Sequence, residues 1–136
     1  MILRDLLLRV VLAVSQVISA ASHSYPYVHG YQHIPGIGDG FLVQASVSFA
    51  LAVLIPVGGP FWLRWAAAAV AGGSLVAFVL SRTVGLMGFT EHGWEPSPYA
   101  AASVIAEAVT VLTALAWVAW RRPAAVSPAG RLAKVK

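Results

Sequence analysis

Four long apolar segments constrain this chain more than any other feature of its sequence. A transmembrane helix needs about 20 mostly apolar residues, and runs of about this length occur at residues 6–25, 41–57, 61–80 and 99–120. The connections between them are short and show no alternating strand pattern. We therefore predict an all-α protein, an integral membrane bundle of four transmembrane helices within a single domain at residues 1–122.

The composition supports a membrane protein. Of the 136 residues, 59% are hydrophobic and only 10% are charged, whereas soluble domains typically carry about 25% charged residues. Because the chain has no cysteine, disulfides, iron–sulfur clusters and thiolate metal sites are excluded. The net charge of +4 lies mainly at the predicted membrane flanks. We therefore expect the lipid bilayer as the acidic partner, and no nucleic acid.

The basic residues are divided unequally between the two ends of the predicted bundle. Arg82 is the only one at the end where residues 23–40 and 81–98 form the connections. By the positive-inside rule, both termini are then cytoplasmic in a multi-pass protein of the bacterial plasma membrane, and residues 123–136 form a basic, mobile cytoplasmic tail. The residues assigned to the cytoplasmic side are Arg4, Arg9, Arg64, Arg121, Arg122, Arg131, Lys134 and Lys136.

The start of the chain has a second interpretation. Residues 1–22 combine a basic beginning with an apolar run and small residues, which is also typical of a secretory signal. We interpret this stretch as the beginning of the first span. The following connection, residues 23–40, is rich in proline and glycine from Pro26 onward, so we expect it to be irregular or partly re-entrant. Within it, Asp39 is predicted to cap the N-terminus of the second helix.

Two motifs indicate a family resemblance. The segments YQHIPGIGDGFLVQ (31–44) and SRTVGLMGFTE (81–91), followed by a span with a single glutamate, resemble small four-helix integral membrane proteins of high-GC bacteria, most of them uncharacterised. The resemblance covers most of the spans and implies the fold. It implies no functional residues.

Glu107 is the most informative single position, because it lies inside the fourth span. A carboxylate in a bilayer is costly and indicates a functional site with a partner. The candidate partners are Arg82, His23 and Gln44, which would form a polar bundle interior with Glu107. Two interpretations remain open. In the functional one, Glu107 belongs to a proton or ion relay, or to a polar pocket for a quinone-like molecule or a lipid headgroup. In the other, it makes an interhelical contact that only fixes packing.

The histidines offer a second candidate site. His29 and His33 are four residues apart and, with His92 and Glu91 from the other outer connection, supply the nitrogen and oxygen ligands that Zn(II) or Cu(II) prefers. The surrounding glycines and prolines weaken that geometry. Axial haem ligation needs two histidines at similar depth, and only His23 is predicted to lie in a helix. We therefore expect no cofactor, with Zn or Cu as the alternative and haem disfavoured.

No catalytic arrangement is found, so the protein is not predicted to be an enzyme. Neither a Ser-His-Asp set nor an HExxH motif can be assembled, and the glycine run at residues 36–40 lacks the lysine of a phosphate-binding loop. Small residues in the third span favour close helix packing. We expect a non-enzymatic accessory or assembly subunit of a larger membrane complex, with a respiratory complex as one candidate. The alternatives are an outer-face metal- or cofactor-binding membrane protein and a small transporter that uses Glu107, although the chain has no repeated half.

Overall fold

Four α-helices make up the computed structural model, which describes residues 2–121. The predicted tail at 123–136 lies outside the described residues. A single 3-10 turn at Tyr31–His33 follows the first helix. The all-α fold class and the number of helices are confirmed. The helices are α1 (Ile2–Val28), α2 (Ile37–Leu54), α3 (Trp62–Arg82) and α4 (Tyr99–Arg121).

Three of these helices are long and apolar enough to cross a membrane. They are α2, α3 and the Tyr99–Trp120 part of α4. Many of their large apolar side chains point away from the bundle, among them Val43, Val76 and Leu112, each about 60% exposed. Such an outward apolar surface is expected of helices that face lipid.

The helices form an up-and-down bundle in which α1 is the central element. It packs along both α2 and α4, and α3 packs along α4, whereas α2 and α3 touch each other only over a short stretch. The connections at residues 29–36 and 83–98 lie at one end, which we call the loop end. The opposite end, where α1 and α3 begin and α2 and α4 finish, is the terminal end. A groove therefore runs between α2 and α3 on one side of the bundle.

Four helix ends differ from the predicted spans by three or four residues: α1 is longer at both ends, and α2 both begins and ends earlier. The first helix continues through Pro26 to Val28. Because this proline lies in the last turn, its missing N–H costs at most one intrahelical hydrogen bond there. The second helix begins at Ile37, four residues earlier than expected, because Gly36 takes a positive φ of 74° that turns the chain into the helix.

Asp39 is not the cap of α2, contrary to the prediction. Gly36 occupies the N-cap position, and Asp39 is an exposed residue in the first helical turn. Its carboxylate still lies where a negative charge complements the helix dipole.

The early start of α2 depends on Gly38, where a Cβ would come within 2.7 Å of the carbonyl oxygen of Tyr31. Only glycine allows the 3-10 turn to pack this closely on the helix.

The interior has an apolar part and a polar part. Toward the terminal end, buried residues of α1, α2 and α3 form an apolar cluster. Beyond it, Arg64 is buried with its Nη1 3.0 Å from Asp5 Oδ1 and its guanidinium 4.7 Å from the ring centroid of Trp117. The polar part lies toward the loop end and contains the candidate site. The apolar cluster comprises Leu12, Leu51, Ile55, Leu63 and Ala67.

Candidate functional site

The centre of the site is Glu107, which is fully buried in the middle of α4. Its Oε1 accepts hydrogen bonds from three serine hydroxyls, each on a different helix. Ser74 of α3 donates at 2.7 Å, Ser103 of α4 at 3.1 Å and Ser19 of α1 at 3.2 Å. Glu107 Oε2 is also buried, but it has no hydrogen-bond partner within residues 2–121.

Helical spacing explains why these groups converge. Ser103 and Glu107 are four residues apart and Thr110 is three further on, so all three lie on the same face of α4. On α1, Ser19 and His23 are likewise four residues apart. Both faces turn toward the bundle interior, where a polar group in a membrane protein can find a partner.

His23 lies beside Glu107, with its Nε2 3.8 Å from Glu107 Oε1 and 3.3 Å from Ser74 Oγ. Its Nδ1 is 2.9 Å from the carbonyl oxygen of Ser19. Because a carbonyl oxygen can only accept, Nδ1 must carry a hydrogen and donate it. In a neutral ring Nε2 is then an acceptor, and it faces the same Ser74 hydroxyl that donates to Glu107.

Gln44 and Arg82, the other two predicted partners, do not touch Glu107. Gln44 donates to Ser19 Oγ at 3.4 Å, so it is linked to the carboxylate through one serine. The structure does not bring Arg82, one of the three candidate partners, to Glu107. Because α3 extends to Arg82, its side chain lies eight residues, or about 12 Å along the helix, beyond Ser74. There Arg82 pairs with Glu91 at 3.0 Å.

A second polar layer lies one turn below the carboxylate. Gln16 donates from Nε2 to Thr110 Oγ1 at 3.1 Å, and Ser15 Oγ lies 2.8 Å from the same atom. All three side chains are buried. The spacing of Ser15, Gln16 and Ser19 on α1 is the signal that indicates this layer, since polar residues three and four apart share a helix face.

A partly open cavity of about 90 Å³ lies between the buried site and the loop end, and we call it the loop cavity. Its inner wall includes His23, Ser74 and Ser103, and its outer wall includes Arg82 and Glu91. The connection at residues 83–98 covers it. A molecule in this cavity would touch side chains that bond directly to Glu107.

Tyr31 ties the two connections together at the loop end and was not predicted as part of the site. Its hydroxyl donates to Glu91 Oε1. Burial raises the pKa of the Tyr31 phenol, and the hydrogen bond to Glu91 raises this pKa further. Glu91 therefore binds Arg82 and Tyr31 and forms a structural link across the mouth of the loop cavity.

The four candidate metal ligands are not brought together. His29 stacks on Tyr25 with ring centroids 3.9 Å apart, and its Nδ1 bonds the carbonyl oxygen of that residue. His33 and His92 are exposed, and Glu91 is held by Arg82. In the part of the chain that the structure describes, no group of three or more histidine, aspartate and glutamate side chains is placed to hold a metal ion. The alternative of a metal site at His29, His33, His92 and Glu91 therefore finds no support among the described residues.

No protein-family model matches this chain, and comparisons with curated proteins and with solved structures also find no match. Function must therefore be inferred from the geometry of the site and from the surface of the bundle.

Proposed function

We propose that the chain is a four-span integral membrane protein with both termini in the cytoplasm, and that it works as a non-enzymatic accessory or assembly subunit of a larger membrane complex. The observation that carries this proposal is the groove between α2 and α3. Two helices that follow each other in the chain leave an open, largely apolar groove of about 340 Å³ on the surface of the bundle, with His23, Gln44 and Ser74 as its polar lining residues. A membrane helix of a partner subunit is the occupant that we propose.

The lining of the groove suits a helix. Gly40 from α2 and Ala69 and Gly73 from α3 contribute small side chains or none. In a bilayer, helices associate where small residues let their backbones approach closely, because lipid provides no hydrophobic drive between helices. A Cβ added at Gly40 or Gly73 would meet nothing within 4 Å, so the space at both positions is open to an incoming helix.

Two observations support the four-span topology. Helix α1 has 27 residues and is about 40 Å long at 1.5 Å per residue, which exceeds the bilayer core of about 30 Å. Its charged residues Arg4, Asp5 and Arg9 lie in the first turns, at the terminal end. Arg64 of α3 lies at that end as well, so the basic residues concentrate where the positive-inside rule puts the cytoplasm.

Site-directed cross-linking tests the partner proposal, because the chain has no cysteine of its own. A photoreactive thiol probe attached to Gly73→Cys would sit in the groove. We expect it to form a covalent adduct with one defined membrane protein when cells are illuminated. Leu112→Cys is the matched control: it lies at similar depth on α4 with its side chain 64% exposed, and it should give only lipid adducts.

The adducts would be identified by mass spectrometry after purification in mild detergent. A single partner that is linked from Gly73→Cys and not from Leu112→Cys supports the subunit role. Equal adducts from both positions, lipid adducts alone, or a cross-linked dimer of this chain would each overturn it.

A further inference from the structure

The loop cavity gives the buried carboxylate a route to water. Holding one water molecule takes about 10–15 Å³ of cavity volume, so the volume of about 90 Å³ has room for several. The lining is polar at the inner wall, where Ser22, His23, Ser74 and Ser103 are found. Water in this cavity would therefore find hydrogen-bond partners, which buried water requires.

Among His23, Ser74 and Glu107 there is one hydrogen-bond donor fewer than the facing acceptors require. Ser74 has one hydroxyl hydrogen, yet it faces two acceptors, Glu107 Oε1 at 2.7 Å and the Nε2 of neutral His23 at 3.3 Å. One added proton satisfies both. If it binds Glu107, the carboxyl group donates to Ser74, which then donates to His23. If it binds His23 Nε2, the imidazolium donates to Ser74, which keeps its bond to Glu107.

From this geometry we propose that the His23–Ser74–Glu107 triad is a proton-exchange site, which takes up one proton from water at the loop end through the loop cavity. In the net step one O–H bond of hydronium breaks and one O–H or N–H bond forms in the triad. Hydronium becomes water, and the charge of the triad changes from minus one to zero. No other reactant is needed. The proposal requires no occupant in the α2–α3 groove, although His23 and Ser74 also line that groove.

Few other charged groups face the triad from the surrounding helices. Helix α2 contributes the uncharged Gln44, which reaches it through Ser19. On the loop side, Arg82 and Glu91 line the cavity, but they pair with each other at 3.0 Å. No charged side chain among residues 2–121 therefore makes an ion pair with the Glu107 carboxylate other than His23. An ionised Glu107 in this position keeps one buried oxygen without a partner, which is energetically costly.

The route does not continue to the terminal end. Beyond Gln16 and Thr110 the bundle interior is closed by the apolar cluster around Leu12 and Leu51. Protons should therefore enter and leave from the same side. This makes the triad an exchange site and not a channel, and it separates the proposal from a transporter that carries protons across the membrane.

Infrared difference spectroscopy on the full chain in lipid vesicles tests the uptake of the proton. With ¹³C-labelled glutamate, acidification should change a carboxyl band that disappears in Glu107→Gln and persists in Glu91→Gln. If Glu107→Gln does not fold, Ser74→Ala serves as the second variant, because the loss of its hydrogen bond must shift the frequency of the same band. A pH-dependent band that neither variant alters would overturn the proposal.

Thiol labelling tests the route. Ser22 is 6% exposed and lines the loop cavity, whereas Ser48 on α2 is fully buried and lines no part of it. A small water-soluble thiol reagent should modify Ser22→Cys at least about tenfold faster than Ser48→Cys, since the thiolate must meet the reagent in water. Equal rates would rule out the cavity as the route.

A flux measurement separates exchange from transport. Vesicles with the wild-type protein should leak protons no faster than protein-free vesicles. A proton flux that depends on Glu107 would contradict the exchange role.

Discussion

At the scale of single residues, Glu107 was identifiable from sequence because a carboxylate is rare inside an apolar span. His23 was predicted as a partner and lies 3.8 Å away, but the serines that bond the carboxylate were not, because a serine within an apolar segment is common and carries no charge to mark it. Three serines from three helices surround one carboxyl oxygen. Their convergence depends on how α1, α3 and α4 are rotated against each other, which no single segment specifies.

Tyr31 allows a prediction about pH at this scale. Since burial and the bond to Glu91 raise the pKa of the phenol in the folded protein, neutral Tyr31 stabilises the fold below the ordinary pKa of about 10. That stability is lost as the pH rises through the raised value. We expect Tyr31→Phe to lower the stability by about 1 kcal/mol near neutral pH and to flatten the loss of stability in alkali.

The measurement is the thermal unfolding temperature in detergent as a function of pH. Tyr27→Phe is the control, since the Tyr27 hydroxyl makes no hydrogen bond among the described residues. If the wild type and Tyr31→Phe lose stability in parallel above about pH 10, the bond between Tyr31 and Glu91 does not contribute as described.

At the scale of the elements, α2 begins earlier than its apolar run suggests, because its first turns contain glycines that allow close contact with the preceding 3-10 turn. Gly38 lies against the backbone of the 3-10 turn, and Gly36 has the positive φ that starts the helix. From sequence, a cluster of glycines and a proline indicates an irregular connection. It does not reveal which glycines belong to a helix, because that depends on the neighbouring backbone.

Two glycine substitutions in the same helix should have opposite effects. In Gly38→Ala the Cβ would lie 2.7 Å from the carbonyl oxygen of Tyr31 and 2.9 Å from the Cα of Gln32. Since both are backbone atoms, we expect a loss of about 1–3 kcal/mol in the free energy of unfolding. Gly40→Ala meets nothing within 4 Å and should stabilise the helix by about 0.5–1 kcal/mol.

Both values can be obtained from unfolding curves in mixed detergent micelles. Gly40→Ala serves as the control for helix propensity, because it makes the same chemical change two residues away. A stable Gly38→Ala protein would show that the 3-10 turn does not rest on α2 at this point.

At the scale of the whole molecule, charge and hydrophobicity are distributed along the bundle axis. The terminal end holds Asp5 with Arg9 and Arg64, and the loop end holds the pair of Arg82 and Glu91. Between the two ends, the interior consists of the apolar cluster toward the terminal end and the polar site toward the loop end. The sidedness of the chain in the membrane should follow from this asymmetry.

Labelling of single cysteines in intact cells tests the sidedness and the fourth span together. Met87, Val57 and Leu3 are 78%, 73% and 70% exposed. We expect a membrane-impermeant thiol reagent to modify Met87→Cys in intact bacteria, and to modify Val57→Cys and Leu3→Cys only after permeabilisation. The unmodified chain is the control, since it has no cysteine.

The position of Leu3 decides whether α1 crosses the membrane. If Leu3→Cys and Met87→Cys are labelled alike while Val57→Cys is protected, then α1 does not span the bilayer and the four-span topology is wrong. If Val57→Cys alone is labelled in intact cells, the orientation is reversed.

The sequence by itself determined the four helices, three of them apolar enough to cross a membrane, and the position of Glu107 within the last of them. These properties follow from local composition, since a bilayer demands long apolar helices and penalises an isolated carboxylate. Helix ends were predicted to within four residues, and the largest differences are at the N-terminal ends of α1 and α2. Spacing along the chain suggested His29, His33 and His92 as metal ligands. Spacing does not show which groups a side chain faces in the folded protein.

The tertiary structure alone decided which polar groups meet. The packing of α1 against α4 places His23 beside Glu107. Arg82 lies at the loop end instead, because α3 extends that far. The tertiary structure also left α2 and α3 apart, and it opened the loop cavity above Ser74 and Ser103. Such features depend on packing between segments distant in sequence, and the free energy of that packing is not encoded in any one of them.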